Sequence, residues 1–509
     1  MLSHHLPGGR FADPRFAADE PAGPPPPPPT APVPAVASPE PVTSEHKIEI
    51  GGKKLRYFVT VGTLPIKNES GEVEANLFYT AYSLGSKDGE RKRPLTFTFN
   101  GGPGSASVWL HLGGLAPRRV QMMDDGAMPA APFKLIDNEF TWLEKTDLVF
   151  IDPVDTGYSR AVKPELAKKF KSVQGDLDSV GEFIRLYLSR ARRWSSPLFL
   201  AGESYGTFRA AGLAGLLIEK GIAFNGIILI SSVLDMLTLR FDAGNDLPYT
   251  LYVPTYAATA WRHGRLPAKL QSRDLKEVLV EAEAFAGGEY AVALAKGSGL
   301  APEERSVIAD KLARLTGLSK TFVARSNLRI EIQNFCKELL RDQGRTVGRL
   351  DSRYTGFDVN GIAATPDFDP SMVAIRPPFT AVLNDHLRNL GWETDIEYHI
   401  LRGLEWDWGG SSNGYARTTE AIESAFAKNP YLHLFIASGY YDLATPYFAT
   451  DYTVRHLSLA PETRANIVTS EYPVGHMVYL ESTVLAKLRD DVLAFIDRAL
   501  AAPGISLRS

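Results

Sequence analysis

The sequence predicts an α/β protein with a mostly parallel central sheet, helices on both of its faces and a helical insertion. Buried strand and helix patterns alternate between residues 146 and 231. Strand patterns return at 431–437 and 467–469 after a long helical stretch, and a closing helix is predicted at 483–500. A strand–helix–strand order is typical of parallel sheets, because the connecting helix must cross over the sheet and cover it.

The composition is that of an ordinary folded protein and argues against several classes of protein. The 509 residues are 44% hydrophobic and 22% charged, and the net charge of −4 gives no indication of a nucleic-acid partner. Since no run of about 18 apolar residues occurs, no membrane span is predicted. Cys336 is the only cysteine, which precludes an intramolecular disulfide and fits a reducing compartment or a bacterial envelope. The first residues do not show the charged and then apolar order of a signal peptide, which fits a cytoplasmic location. Export is the alternative, because translation from a different start could add a signal peptide.

Changes in composition divide the chain into four predicted regions. Residues 1–45, with the proline run Pro24–Pro29, are expected to form a disordered tail. The regions that follow are 46–233, the first part of the α/β core; 234–410, a helical insertion or lid; and 411–509, the last part of the core. A separate helical domain is the alternative for the third region, but sheet patterns resume after it, which favours an insertion.

The individual elements follow from periodicity and from glycine and proline signals. Strands are predicted at 47–60, 74–84, 95–99, 146–152, 197–201 and 226–231. Helices are predicted at 172–193, 207–217, 275–286, 306–315 and 418–428, whereas the stretch 354–378 is expected to be irregular.

The most informative motif is Gly202–Gly206, which reads GESYG and fits G-x-S-x-G. It lies between a predicted buried strand and a predicted buried helix, which is the context of the nucleophile elbow of α/β-hydrolases. In that turn the hydroxyl of Ser204 would be exposed to a substrate, and the start of the helix would offer backbone N–H groups to a developing oxyanion. A chance match in a loop would lack this flanking pattern.

A second glycine-rich segment, Asn100–Gly104, follows the strand predicted at 95–99. Loops at the carboxyl ends of strands are where α/β folds place binding sites. The segment lacks the Lys-Ser/Thr ending of a phosphate-binding loop, so nucleotide binding is not expected.

The acid and the base of a catalytic triad should follow the serine along the chain in this fold. Asp442 and His476 obey that order, and each lies in a loop just after a predicted strand. The imidazole is needed to take the proton of the Ser204 hydroxyl, and the carboxylate is needed to orient the imidazole. Asp451 is an alternative acid, and His111 is a weaker alternative base because it precedes the serine.

Four blocks together resemble the serine carboxypeptidases: Asn100–Gly104, Gly202–Gly206, Gly439–Asp442 and Gly475–Met477. The resemblance spans roughly residues 95–480 and is thin in the insertion. It implies an α/β-hydrolase fold and an enzyme that removes single residues from peptides with a free C-terminus. Those peptides are the only partners predicted, and no cofactor or metal is predicted.

The resemblance also implies a role for each matching position. The catalytic residues would be Ser204, Asp442 and His476. The oxyanion hole would be formed by the backbone N–H groups of Gly102 and Tyr205, and the substrate carboxylate would be held by Asn100, Gly101 and Glu203. Glu203 can take part only as a neutral acid, since two ionised carboxylates in contact repel each other.

The sequence departs from the family pattern at four positions. Thr98 stands where a Trp is common, Ser105 where a Cys is common, and Asp155 where a Gly is usual. Gly114 occupies the expected place of a second Glu that pairs with Glu203. These changes suggest a bacterial-type branch without disulfides. An esterase or an acyltransferase using the same triad is the alternative function.

Overall fold

The computed structural model describes residues 40–86, 92–409 and 414–501. Its centre is a sheet of ten strands, and two pairs of short strands lie outside it. The strands are β1 Val42–Ile50, β2 Lys53–Lys67, β3 Val73–Leu84, β4 Leu95–Phe99, β5 Arg118–Val120, β6 Leu135–Asp137, β7 Asp147–Ile151, β8 Arg160–Ala161, β9 Leu198–Ser204, β10 Gly226–Ser232, β11 Arg345–Val347, β12 Thr355–Phe357, β13 His433–Gly439 and β14 Ile467–Tyr472.

The large sheet has an antiparallel part and a parallel part. The strand order is β1-β2-β3-β7-β4-β9-β10-β13-β14, with β8 paired to β3. The pairs from β1 to β7 are antiparallel, and every pair from β7 to β14 is parallel. The predicted fold class, an α/β-hydrolase fold with a mostly parallel central sheet, is therefore confirmed.

Helices surround the sheet on both faces. They are α1 Val108–Leu110, α2 Ala167–Phe170, α3 Val173–Arg190, α4 Tyr205–Glu219, α5 Leu247–Leu251, α6 Val253–Arg262, α7 Ala268–Gln271, α8 Leu275–Phe285, α9 Ala291–Lys296, α10 Pro302–Thr316, α11 Lys320–Arg325, α12 Ile332–Glu338, α13 Pro370–Asn389, α14 Thr419–Lys428, α15 Tyr447–Arg455, α16 Pro461–Arg464 and α17 Ser482–Ala501. Among the helices of the described residues, none is long and apolar enough to cross a bilayer.

Alternate residues of the parallel strands supply two separate cores. In β9, Leu198 and Leu200 face one side, with α3 and α4, whereas Phe199 and Ala201 face the other, with α17. This alternation follows from the period of two in a strand. Because both faces are covered, the strands are continuous apolar runs, which is why they could be recognised in the sequence.

The segment 234–410 contains most of the remaining helices. Helices α5 to α12 share a third apolar core, and Tyr441 and Leu443 of the core region pack into it. The stretch 354–378 was expected to be irregular, and that expectation is wrong near both of its ends, which form β12 and the start of α13. Helix α13 begins at Pro370, where the Asp369 side chain accepts a hydrogen bond from the backbone N–H of Ser371. It continues through Pro377 and Pro378 because its apolar side packs on the main core.

The amino-terminal part of the fold also departs from expectation. The strand expected at 47–60 is a hairpin, with β1 and β2 joined at Gly51 and Gly52, both of which have positive φ. Folded structure was expected from His46, but β1 begins at Val42. The remainder of the predicted tail, residues 1–39, lies outside the described residues.

Candidate active site

The sheet topology brings the two glycine motifs together. Strand β4 pairs in parallel with β9, and Phe99 is opposite Gly202. The segments that leave these strands, Asn100–Gly104 and the turn at Ser204, therefore start side by side at the carboxyl edge of the sheet.

Ser204 lies in a backbone conformation that few side chains adopt. Its φ is 59° and its ψ is −131°, and helix α4 begins at the next residue. Gly202 and Gly206 make the turn possible, since a Cβ atom on Gly202 would lie 2.1 Å from the Gly206 carbonyl oxygen. A strained serine between a strand and a helix is the geometry of a nucleophile elbow.

Gly101 lets the glycine loop touch the elbow. A Cβ atom at this position would lie 2.4 Å from the backbone nitrogen of Tyr205. Tyr205 is the first residue of α4, so its N–H has no acceptor within the helix. Gly102 lines the same cavity as Ser204. The two N–H groups predicted for the oxyanion hole thus belong to segments in direct contact.

Asp442 and His476 form a buried pair. The Nδ1 atom of His476 lies 2.7 Å from Oδ2 of Asp442, which is fully buried. Asp442 also accepts hydrogen bonds from the backbone N–H groups of Ala444 and Thr445 and from the Thr445 hydroxyl. These bonds fix the carboxylate, so that Nε2 of the imidazole is the atom free to act as a base.

Electrostatics in the site favour protonation of His476. Burial alone lowers the pKa of His476, but the negative charge and hydrogen bond of Asp442 outweigh burial, and the pKa lies above its ordinary value. This is the environment that stabilises an imidazolium during proton transfer.

Ser204 and His476 line one cavity of about 410 Å³. Within the described chain no hydrogen bond joins the Ser204 hydroxyl to the imidazole. Asp451, the alternative acid, pairs with Arg455 instead of with His476. The alternative base His111 bonds to the Tyr82 hydroxyl at 2.6 Å and stacks on Phe150, outside the cavity lining.

Asn100 and Glu203 form the polar end of this cavity. The side-chain amide of Asn100 donates to Oε1 of Glu203 at 3.0 Å, and the side-chain Oδ1 of Asn100 accepts from the backbone N–H of Leu110. Burial raises the pKa of Glu203 to about 7, against the lowering effect of His476. At acidic pH the cavity therefore presents a neutral carboxyl group and an amide, and both can hydrogen-bond to a carboxylate.

Tyr479 was not anticipated from the sequence. Its buried hydroxyl lies beside the carboxyl group of Glu203 and lowers the pKa of that group. Neither Oε2 of Glu203 nor this hydroxyl makes a hydrogen bond of regular geometry with any described residue. The ring fits because Gly113 and Gly114 lack side chains: Cβ atoms there would lie 2.3 Å and 2.8 Å from Tyr479. A phenol therefore lies in the region where the family pattern has a second carboxyl group and this sequence has Gly114.

Part of the segment 234–410 supports the catalytic loops. The backbone N–H of His476 donates to the Leu350 carbonyl at 2.7 Å, and the N–H of Gly475 donates to Oδ2 of Asp351 at 3.2 Å. The backbone N–H of Leu443 donates to the Arg349 carbonyl. Residues 349–351 thus bind the loops of both the acid and the base, which sequence patterns did not reveal.

One departure from the family pattern is explained by the backbone. Asp155, where a glycine is usual, has φ 71°, and its carboxylate pairs with Lys171 at 2.7 Å. Aspartate tolerates left-handed backbone better than most residues, so the loop keeps its conformation.

Comparisons with known proteins find relatives among the serine carboxypeptidases. Residues 61–238 match the family model of the serine carboxypeptidases, which confirms the resemblance predicted from the motifs. The chain is 28% identical over 158 residues to serine carboxypeptidase-like 8 of Arabidopsis thaliana, an alignment that covers 28% of this chain and 33% of that protein. It is 30% identical over 155 residues to the pheromone-processing carboxypeptidase KEX1 of Saccharomyces cerevisiae. That alignment covers 28% of this chain and 20% of KEX1.

Among solved structures, the fold resembles a prohormone-processing carboxypeptidase from Saccharomyces cerevisiae. The TM-score is 0.51 with 14% identity, and the match covers 86% of this chain and 91% of that one. In the sequence alignments, by contrast, this chain matches a third or less of the length of each of the two relatives. Asp442 and His476 lie outside the residues that the family model matches.

Proposed function

We propose that this relative of the serine carboxypeptidases releases single residues from the C-terminus of peptides. The observation that carries the proposal is one cavity that contains Ser204, His476 and the pair of Asn100 and Glu203. A nucleophile with its base can attack an acyl group, and a carboxylate site beside it places the end of a peptide there.

The first half of the reaction forms an acyl-enzyme. The Ser204 oxygen attacks the last peptide carbonyl while Nε2 of His476 takes the hydroxyl proton. The backbone N–H groups of Gly102 and Tyr205 stabilise the oxyanion. As the C–N bond breaks, the departing amino acid receives that proton from His476. Asp442 keeps the imidazole in the correct tautomer throughout.

The second half frees the enzyme. Water enters after the amino acid leaves, gives a proton to His476 and attacks the Ser204 ester. The shortened peptide departs with a new terminal carboxylate, and the proton returns to the Ser204 oxygen. Asn100, Gly101 and Glu203 hold the terminal carboxylate of each substrate, so cleavage advances one residue at a time.

The test is mass spectrometry of defined peptides after incubation with the protein and with its Ser204→Ala variant. We expect a ladder of C-terminal losses from the parent and a rate at least about 10⁴-fold lower from the variant. Matched peptides ending in an amide should bind worse by about 1.5–3 kcal/mol. Equal kcat/KM for acid and amide, or hydrolysis of simple aryl esters without any peptide ladder, would instead identify an esterase.

A further inference from the structure

The cavity around Ser204 is lined by more positively charged than negatively charged side chains. Three arginines line it: Arg349, Arg376 and Arg402. Glu203 is the only carboxyl group among the lining residues, and it is neutral below about pH 7. The cavity therefore carries an excess of positive charge when the site is in its substrate-binding form.

None of these guanidinium groups is neutralised by a carboxylate in the described chain. Arg376 donates to the Leu401 carbonyl at 3.2 Å, and Arg402 lies 3.2 Å from Nδ1 of His399. The guanidinium of Arg349 has no hydrogen bond or ion pair with any described residue, although it is partly buried. By contrast, Arg353, four residues further on, pairs with both Asp351 and Glu481.

The arginines approach the cavity from two sides. The backbone N–H of Arg402 donates to the Gly104 carbonyl, which places this arginine against the glycine loop. Arg349 precedes Leu350, whose carbonyl accepts from the N–H of His476, so it belongs to the side of the base. A peptide bound at Ser204 lies between these two walls.

Apolar side chains complete the lining, including Leu350, Met372, Ile375 and Met477. Positive charges in a concave site with apolar walls focus the electrostatic potential and attract anions. A guanidinium also matches a carboxylate with two parallel hydrogen bonds, which a neutral amide cannot reproduce.

We propose that this cavity selects peptides with Asp or Glu at the last or next-to-last position, with Arg349, Arg376 and Arg402 as the specificity-determining residues. The proposal rests on the carboxypeptidase function proposed above and adds the substrate class. Basic side chains at the same positions are disfavoured by like-charge repulsion.

The experiment compares N-blocked dipeptides that differ by one group, Glu against its isostere Gln, at each of the two positions. At low ionic strength and mildly acidic pH we expect kcat/KM to favour Glu by about tenfold at one position or both. The preference should shrink as salt rises from 0.01 to 0.15 M, because partly exposed charges are screened.

Charge-removing variants identify the groups responsible. Arg349→Gln, Arg376→Gln and Arg402→Gln should each lower the Glu/Gln ratio, because each reduces kcat/KM more for the Glu peptide than for the Gln peptide. Arg388→Gln is the matched control, since Arg388 is exposed on the same helix as Arg376 and does not line the cavity. Its Glu/Gln ratio should equal that of the parent, and thermal unfolding of each variant checks the fold.

The outcomes separate the two proposals. If Gln peptides are cleaved but Glu gives no advantage at either position, the acidic preference is wrong and the carboxypeptidase stands. If all three arginine variants lose activity equally on Glu and Gln peptides, the arginines do not determine the preference, and the proposal is overturned. If no peptide is shortened, both proposals fail.

Discussion

Glu203 is the residue at which the proposed mechanism depends most directly on pH. With a pKa of about 7 it is neutral in acid and ionised above neutrality. His476 imposes the opposite requirement, because it must lose its proton to act as a base, and its pKa is raised. Peptide hydrolysis should therefore follow a bell-shaped pH profile, whereas an ester without a terminal carboxylate should show only the fall at low pH.

The first prediction concerns Glu203→Gln. In the parent, KM for peptides should climb as pH rises through about 7, approaching about tenfold per unit, because ionised Glu203 repels the substrate carboxylate. Gln cannot ionise but can still donate a hydrogen bond, so the KM of the variant should stay nearly flat. Steady-state kinetics between pH 5 and about 9 measure this. The same KM profile for both proteins would show that Glu203 does not bind the carboxylate.

The second prediction concerns Tyr479→Phe. The Tyr479 hydroxyl beside Glu203 lowers the pKa of Glu203, because its dipole favours the ionised carboxylate. Without that hydroxyl, Glu203 should ionise at higher pH, so the rise in peptide KM should move in the alkaline direction.

Tyr472→Phe is the matched control for this shift. Tyr472 is also a buried tyrosine, but its hydroxyl bonds to Asp491 instead of to Glu203. Its variant should keep the KM profile of the parent. A loss of activity in Tyr479→Phe with no displacement of the pH profile would mean that Tyr479 supports packing alone.

At the scale of elements, the elbow helix α4 is fixed by one buried arginine. Arg209 bonds to Asp176 of helix α3 at 2.7 Å and to the carbonyl oxygen of Asn100 at 2.6 Å. Its guanidinium also lies over the rings of Phe99 and Tyr205. This side chain thus links two helices to the glycine loop.

The third prediction is that Arg209→Leu lowers the free energy of unfolding by about 3–5 kcal/mol, because Asp176 is left buried without its partner. Arg185→Leu is the control: Arg185 pairs with Glu182 on the surface of α3, and its loss should cost less than about 1 kcal/mol. Urea unfolding measures both. The double variant Arg209→Leu with Asp176→Leu should recover part of the loss; no recovery would argue against an uncompensated charge.

Sequence patterns located the buried elements well and the irregular ones poorly. The apolar run before Ser204 predicted a strand because both of its faces are covered, and β9 extends that strand to Ser204 itself. Helix α13 was missed because the stretch 354–378 is rich in Asp, Gly and Pro, while packing on the core maintains the helix through Pro377 and Pro378. The contact between Glu203 and Tyr479 depends on folding alone, since nothing local to either residue indicates the other.

At the scale of the whole molecule, the site is assembled from distant parts of the chain. Motif order along the sequence predicted which residues meet at the sheet edge, and Asp442 indeed contacts His476. The support from Leu350 and Asp351 could not be predicted, because it consists of a backbone carbonyl and one carboxylate in the inserted segment. Residues 349–351 are therefore a structural part of the site, since they bind the loops that carry Asp442 and His476.

The last prediction concerns the amino-terminal boundary of the fold. Residues 1–39 are rich in proline and should contribute nothing to a packed site. Strand β1, in contrast, pairs with β2 along its whole length from Val42 to Ile50, and Ile48 and Ile50 are buried in the main core. Burial of each isoleucine stabilises the fold by about 1.5–3 kcal/mol.

Two truncations test this boundary. Removal of residues 1–39 should leave both Tm and peptide kcat/KM unchanged. Removal of residues 1–50 should lower Tm, because the two isoleucines are lost and β2 becomes an exposed edge strand that promotes association. Differential scanning calorimetry and light scattering measure the two effects. A drop in kcat/KM at constant Tm after removal of residues 1–39 alone would assign that segment a role in substrate binding, because the folded core would be intact.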